Sequence, residues 1–167
     1  HEPLTALLVL ENTHGHSMGQ PLGAAYVAEV AAIAHGGSAE PAGPAAPGIP
    51  VHVDGARLWN AVVALGTPAP TLLRDVDSAT FCLSKGLSCP VGSVVVGRRE
   101  FIARARRARK LLGGGMRQVG VLAAPGLIAL RDGPAGMIER LAEDHANARR
   151  LAEGLADVPG VIDIDLP

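Results

Sequence analysis

Two short apolar runs lie close together on either side of a single lysine. Ala79 to Leu83 and Ser93 to Val96 are apolar and partly β-branched or aromatic, a composition that suits buried strands, and Gly86, Pro90 and Gly92 punctuate the turn between them. Lys85 stands where the first run ends, with no charged neighbour for several positions on either side. Such surroundings predict a partly desolvated amine whose neutral form is accessible, which is what a Schiff-base lysine needs. The only other lysine, Lys110, lies among arginines and is the poorer candidate.

A second apolar run leads to a comparable address. Val51 to Asp54 reads as a strand ending in a carboxylate, Gly55 follows, and ARLWNAVVALG places Leu58, Val62 and Leu65 at helical spacing. In open α/β sheets ligands bind beyond the carboxyl ends of strands, so Asp54 and Lys85 both occupy favourable positions. Asp54 equally suits the N-cap of the next helix. Arg57 could neutralise it or reach the same ligand. Upstream, Leu4 to Leu10 reads as a buried strand feeding the polar loop ENTHGHSMGQP, where Glu11, Asn12 and His14 either face a ligand or form a turn. His14 and His16 lack a Cys, Asp or further His at ligand spacing, so no metal site is expected.

The intervening segments follow from composition. Pro21 to His35 is Ala-rich and predicts a helix with Pro21 near its first turn. The proline- and glycine-rich stretch from 37 to 50 predicts a surface loop within the domain. Further helices are expected over Arg98 to Leu112, Val119 to Leu130 and Met137 to Leu155, and Val161 to Leu166 reads as a strand. With 167 residues, 48% hydrophobic and 19% charged, the chain has enough apolar material for one cored domain. Its first residue is His1 and its end, VIDIDLP, is strand-like, which together suggest a piece of a longer protein. No apolar run approaches the roughly 20 residues that span a bilayer, and a soluble, cytoplasmic protein is expected. Cys82 and Cys89 have neither zinc nor thioredoxin-like spacing and are expected to be reduced and structural. Net charge is −1, yet basic residues cluster from Arg98 to Arg117. A nucleic-acid-binding module is one reading of that cluster, weakened by the near absence of aromatic residues beside it.

The motifs ENTH at 11–14, HVDGARLWNAVVALG at 52–66, CLSKGLSCPVGSVVVG at 82–97 and RKLLGGGMRQVGVLAA at 109–124 together resemble the threonine aldolases of the β-eliminating lyase group. These are pyridoxal-phosphate enzymes of fold type I. The resemblance implies an α/β fold, the fold type I large domain with a mostly parallel sheet flanked by helices, incomplete at both ends. Residues 1–156 would belong to that domain and 157–167 would begin a small C-terminal domain. It implies pyridoxal 5'-phosphate as cofactor, with Lys85 as the Schiff-base lysine, Ser84 beside it, Asp54 paired with the pyridine nitrogen and Arg57 at the phenolic oxygen. Lys110 and Arg117 would reach the cofactor phosphate or substrate carboxylate of a neighbouring subunit, so a homo-oligomer, dimer or tetramer, with shared sites is implied. His1 falls where the family has a histidine near the substrate hydroxyl. The implied reaction is retro-aldol cleavage of a β-hydroxy-α-amino acid such as L-threonine to glycine and an aldehyde, with β-elimination or transamination as the alternative. Neither a membrane nor nucleic acid is an implied partner. The family's phosphate loop, ring-stacking residue and substrate-carboxylate arginine have no counterpart in the chain, which is therefore expected to be inactive alone.

Overall fold

Val51 and Val53, at most 1% exposed, mark the middle of the sheet. They alternate with His52 and Asp54 along β2 (Val51–Gly55), so one face of this strand is apolar and the other polar. β1 (Leu8–Glu11) and β3 (Ser78–Cys82) flank β2 in parallel, and β4 (Ser93–Gly97) pairs antiparallel with β3. The resulting order is β1-β2-β3-β4. This computed structural model describes residues 4–36, 48–133 and 136–160. Most of the predicted loop at 37–50, the predicted strand at 161–166 and His1 lie outside the described residues.

The sheet is mixed, with two parallel pairings and one antiparallel. β1 to β2 and β2 to β3 are joined by helix-bearing segments, α1 (Ala24–Ala34) in the first case and α2 (Leu58–Leu65) with α3 (Ala69–Leu72) in the second. Such crossovers are what parallel neighbours require. β3 and β4 have only residues 83–92 between them, so the chain turns straight back. α4 (Arg99–Leu111), α5 (Gly120–Ala129) and α6 (Leu141–Ala156) follow.

Three expectations need correction. The run Leu4 to Leu10 is not a buried strand: Leu4 is 95% exposed, and Leu7 and Val9 are about half exposed. Among the described strands β1 pairs only with β2, so alternate side chains point away from the helix-covered face. Pro21 does not sit in the first turn of α1, which begins at Ala24 after the N-cap Gly23. Leu22 is bonded through both its N–H and its C=O to the Asn12 side chain, which holds this segment outside the helix. Finally, α6 starts at Leu141 rather than Met137, because Met137 and Ile138 leave the helical path to pack on the core.

One core cluster joins Leu58, Ala61, Leu72, Phe81, Leu83, Leu87 and Ala129, so α2, α3, α5 and the β3–β4 turn share it. Trp59 meets Phe81 edge-on, with ring centroids 5.4 Å apart, within the favourable range for aromatic pairs. A second cluster packs Ala31 and Ala34 of α1 on Val51, with Leu8 and Leu10 beside them. Cys82 and Cys89 are both free thiols, and Cys89 is buried. Among the described residues no helix is long and apolar enough to cross a membrane.

At the amino-terminal edge of the sheet, Asp77 ties three elements together. Its Oδ2 accepts a 2.8 Å hydrogen bond from the Val51 amide, opening β2, and lies 2.8 Å from His35 Nε2, just past α1. The Val51 bond chiefly holds the Asp77 carboxyl below its usual range, with His35 and Arg98 adding to the effect against the opposing cost of burial. A carboxylate whose folded pKa is depressed stabilises above its unfolded pKa and loses that contribution as pH falls through the folded value. Asp77→Asn is therefore expected to cost about 1 kcal/mol at neutral pH, since the group is partly solvated. Urea unfolding should show this difference shrinking in acid; a gap independent of pH would contradict the assignment.

Candidate active site

The register of the parallel strands decides which side chains gather at their carboxyl edge. Glu11 pairs with Asp54, and Asp54 with Thr80, so β1, β2 and β3 end at one edge, with β3 running furthest, to Cys82. Lys85 lies three residues past Cys82, the end of β3. Gly55 makes the close approach possible: a Cβ there would fall 2.6 Å from the Thr80 carbonyl oxygen and 2.9 Å from Leu58 Cβ. Only glycine leaves the chain free to swing from strand into α2.

Asp54 is exposed, and its Oδ1 accepts a 3.2 Å hydrogen bond from the Ala56 amide. It does not cap α2; that position belongs to Arg57, which makes no side-chain cap bond. Arg57 is exposed on the same rim. His52, two residues back, is half-buried with Nδ1 2.8 Å from Ser78 Oγ. Burial pushes its imidazole below the ordinary value, although the charge of Asp54 pulls the other way.

The lysine turn is closed by its own backbone. Leu83 N–H donates to Gly92 O at 2.9 Å, Cys89 N–H to Leu83 O at 3.1 Å, and Ser88 N–H to Lys85 O at 2.8 Å. Leu83, Leu87 and Cys89 point inward and are buried. Ser84 and Lys85 are exposed, contrary to the desolvated amine expected for Lys85. The apolar residues around the lysine fill the core beneath the turn and leave the amine outside.

The sequence of the beta-eliminating lyases matches residues 1–164. This chain belongs to the beta-eliminating lyase family. Curated relatives include the low-specificity L-threonine aldolase 1 of Arabidopsis thaliana, 46% identical over 95% of this chain and 40% of the relative's length. The low specificity L-threonine aldolase of Escherichia coli K12 is 45% identical, over 94% of this chain and 42% of its own length. The chain thus spans about 40% of the length of these relatives. A solved structure of a candidate L-allo-threonine aldolase from Listeria monocytogenes superposes with a TM-score of 0.74 at 23% identity, covering 95% of this chain and 40% of that one, and shares the fold.

Family membership gives the cluster its context. Asp54, Arg57, Ser84 and Lys85 come together at one edge of the sheet. Lys110 and Arg117 do not join them: Lys110 is exposed on the last turn of α4 and Arg117 is exposed in the loop before α5. The Lys110 side chain instead lies over Gly115, where a Cβ would come within 3.1 Å of Nζ. His1 lies outside the described residues.

The polar loop after β1 separates into two parts. Glu11 holds His14, Oε2 to Nε2 at 3.6 Å, while His14 Nδ1 is 2.8 Å from Ser17 Oγ. Asn12, by contrast, is 2% exposed and cannot face a ligand. Its amide donates to Leu22 O at 3.0 Å and its Oδ1 accepts from Leu22 N–H at 3.1 Å, closing the loop. Sequence reasoning also passed over Asn60, whose Nδ2 lies 3.1 Å from His145 Nε2 on α6. Leu141 and His145, four apart on one helical face, were the available signal. Asn12→Ala removes two bonds in a buried setting and is expected to cost about 2–3 kcal/mol in chemical unfolding. A loss below about 0.5 kcal/mol would show that other contacts hold the loop.

Proposed function

We propose that the intact protein cleaves L-threonine and related β-hydroxy-α-amino acids to glycine and an aldehyde with pyridoxal 5'-phosphate as cofactor. The observation that carries this reading is the placement of Asp54 at the carboxyl end of β2 and of Lys85 in the turn just beyond the carboxyl end of its parallel neighbour β3, in a chain 45–46% identical to relatives named L-threonine aldolases. The residues present fit the cofactor. Asp54 Oδ2 has no hydrogen-bond partner among the described residues and is exposed, as a carboxylate that meets a pyridine nitrogen must be. Arg57 and Ser84 are exposed on the same rim, and the Lys85 amine is open to a carbonyl.

In this reading the bound cofactor supplies an electron sink for the charge that develops at the substrate Cα. Asp54 would hold a proton at the ring nitrogen by charge attraction, and Arg57 would donate to the phenolic oxygen. Lys85 would hold the cofactor through its amine. His1 would accept the β-hydroxyl proton or position a water that does so, and a general base in such a role typically contributes about 10²–10⁴-fold. Residues 157–167 begin a second, smaller domain, and the protein works in the cytoplasm.

Lys110 and Arg117 bind anionic groups of the cofactor or substrate in a neighbouring subunit, which makes the protein a dimer or tetramer. Support comes from the apolar surface around them: Leu111, Leu112, Val121 and Leu127 are each 73–87% exposed. Large apolar side chains this exposed are candidates for burial against a further protein surface, which a neighbouring subunit would supply.

The test is the visible spectrum of the intact protein with pyridoxal phosphate, together with product analysis. A lysine-linked absorbance band is expected in the wild type and not in Lys85→Ala, which should also form glycine from threonine at least about a hundredfold more slowly. A band that persists in the variant overturns the reading. Pyruvate and ammonia from serine, in place of glycine and acetaldehyde from threonine, would move the activity to β-elimination.

A further inference from the structure

The turn that carries Lys85 rests on a side-chain pair from two distant helices. Gly86 follows the lysine directly, and a Cβ on it would lie 2.6 Å from Leu141 Cδ2 and 3.4 Å from Asn60 Oδ1. Leu141 opens α6 and is 1% exposed, so it has little room to yield. Asn60 stands in the first turn of α2, with its N–H donating to the Arg57 carbonyl at 3.0 Å. Its Nδ2 is 3.1 Å from His145 Nε2, one helical turn beyond Leu141. The amide donates and the neutral imidazole accepts.

We infer that Asn60 and His145 are positioning residues for Lys85: their hydrogen bond fixes α6 against α2, so that Leu141 and Asn60 together form the floor on which Gly86 seats the lysine turn. Neither side chain is placed at reacting atoms. Each acts through the backbone of residues 85–89, whose internal bonds, Ser88 N–H to Lys85 O and Cys89 N–H to Leu83 O, set where the amine emerges. The same pair couples the turn to Arg57, because Asn60 and Arg57 share the first turn of α2. The glycine at 86 is the contact point: any side chain there would separate the turn from its floor. The meaning of this arrangement for cofactor attachment rests on the function proposed above, while the mechanical coupling does not.

The test has two arms, both on the intact protein. In the cofactor-free state, hydrogen exchange at the Ser88 and Cys89 amides reads the turn. Asn60→Ala and His145→Ala are each expected to lower protection there by about tenfold, while His145→Gln, which can still accept from Asn60, retains it. On addition of pyridoxal phosphate, the lysine-linked absorbance band should grow about tenfold more slowly in the two alanine variants and at near wild-type rate in His145→Gln. If Asn60→Ala does not fold, the contrast between His145→Ala and His145→Gln carries the comparison. Variants that only lower the melting temperature, with turn protection and the rate of band growth unchanged, overturn the inference. Turn protection that responds as expected in a wild-type protein that forms no band supports the coupling and overturns the proposed function instead.

Discussion

Everything at the candidate site depends on the register between β2 and β3. Parallel pairing of Asp54 with Thr80 and of Gly55 with Phe81 brings two strand ends to the same edge. A slip of one residue would turn Asp54 toward the apolar face and bring Val53 to the polar one. The burial of Val51, Val53, Ala79 and Phe81 guards against this, because each would then have to exchange with a polar neighbour. At roughly 25 cal/mol per Å² of apolar surface, the penalty for such an exchange far exceeds any gain at the rim. The core thus determines where the chemistry-bearing residues stand, although none of them lies in it.

The two edges of the sheet divide structure from chemistry. At the amino-terminal edge Asp77 is bonded to the Val51 amide and to His35, and its carboxylate serves cohesion. At the opposite edge Asp54, Arg57 and Lys85 are exposed, and the described residues form no ion pair among them. Charged groups that form no ion pair with one another along one edge are what a ligand of mixed charge can satisfy.

Local pattern in the sequence made much of this readable. The strands β2, β3 and β4 and the helices α2 and α5 follow from apolar runs and helical spacing and α4 from composition, as do the addresses of Asp54 at a strand end and Lys85 just beyond one. What escaped the sequence was set by contacts between distant segments. His35 and Asp77 are 42 residues apart, and Asn60 and His145 are 85 apart, so no window of local sequence joins them. The exposure of Lys85 departs from expectation for a related reason. An apolar neighbourhood along the chain is not an apolar neighbourhood in space: Leu83, Leu87 and Cys89 turn away from the lysine into the core. For Asn12 the turn reading holds and the ligand-facing one does not, because its buried side chain clamps Leu22, ten residues away.

The antiparallel return from β3 to β4 has a consequence for how the lysine is placed during folding. A parallel neighbour would have required a crossover of a dozen or more residues before the lysine's surroundings were complete. Here Lys85 sits in a closure spanning only residues 83–92, fastened by Leu83 and Gly92 at its base. Closing a short segment forfeits little chain entropy. Contacts so near in sequence are also the kind that can form early, before the long-range strand pairing is complete. The amine is carried on a locally closed turn, which the sheet at its base and the floor supplied by Asn60 and Leu141 then orient.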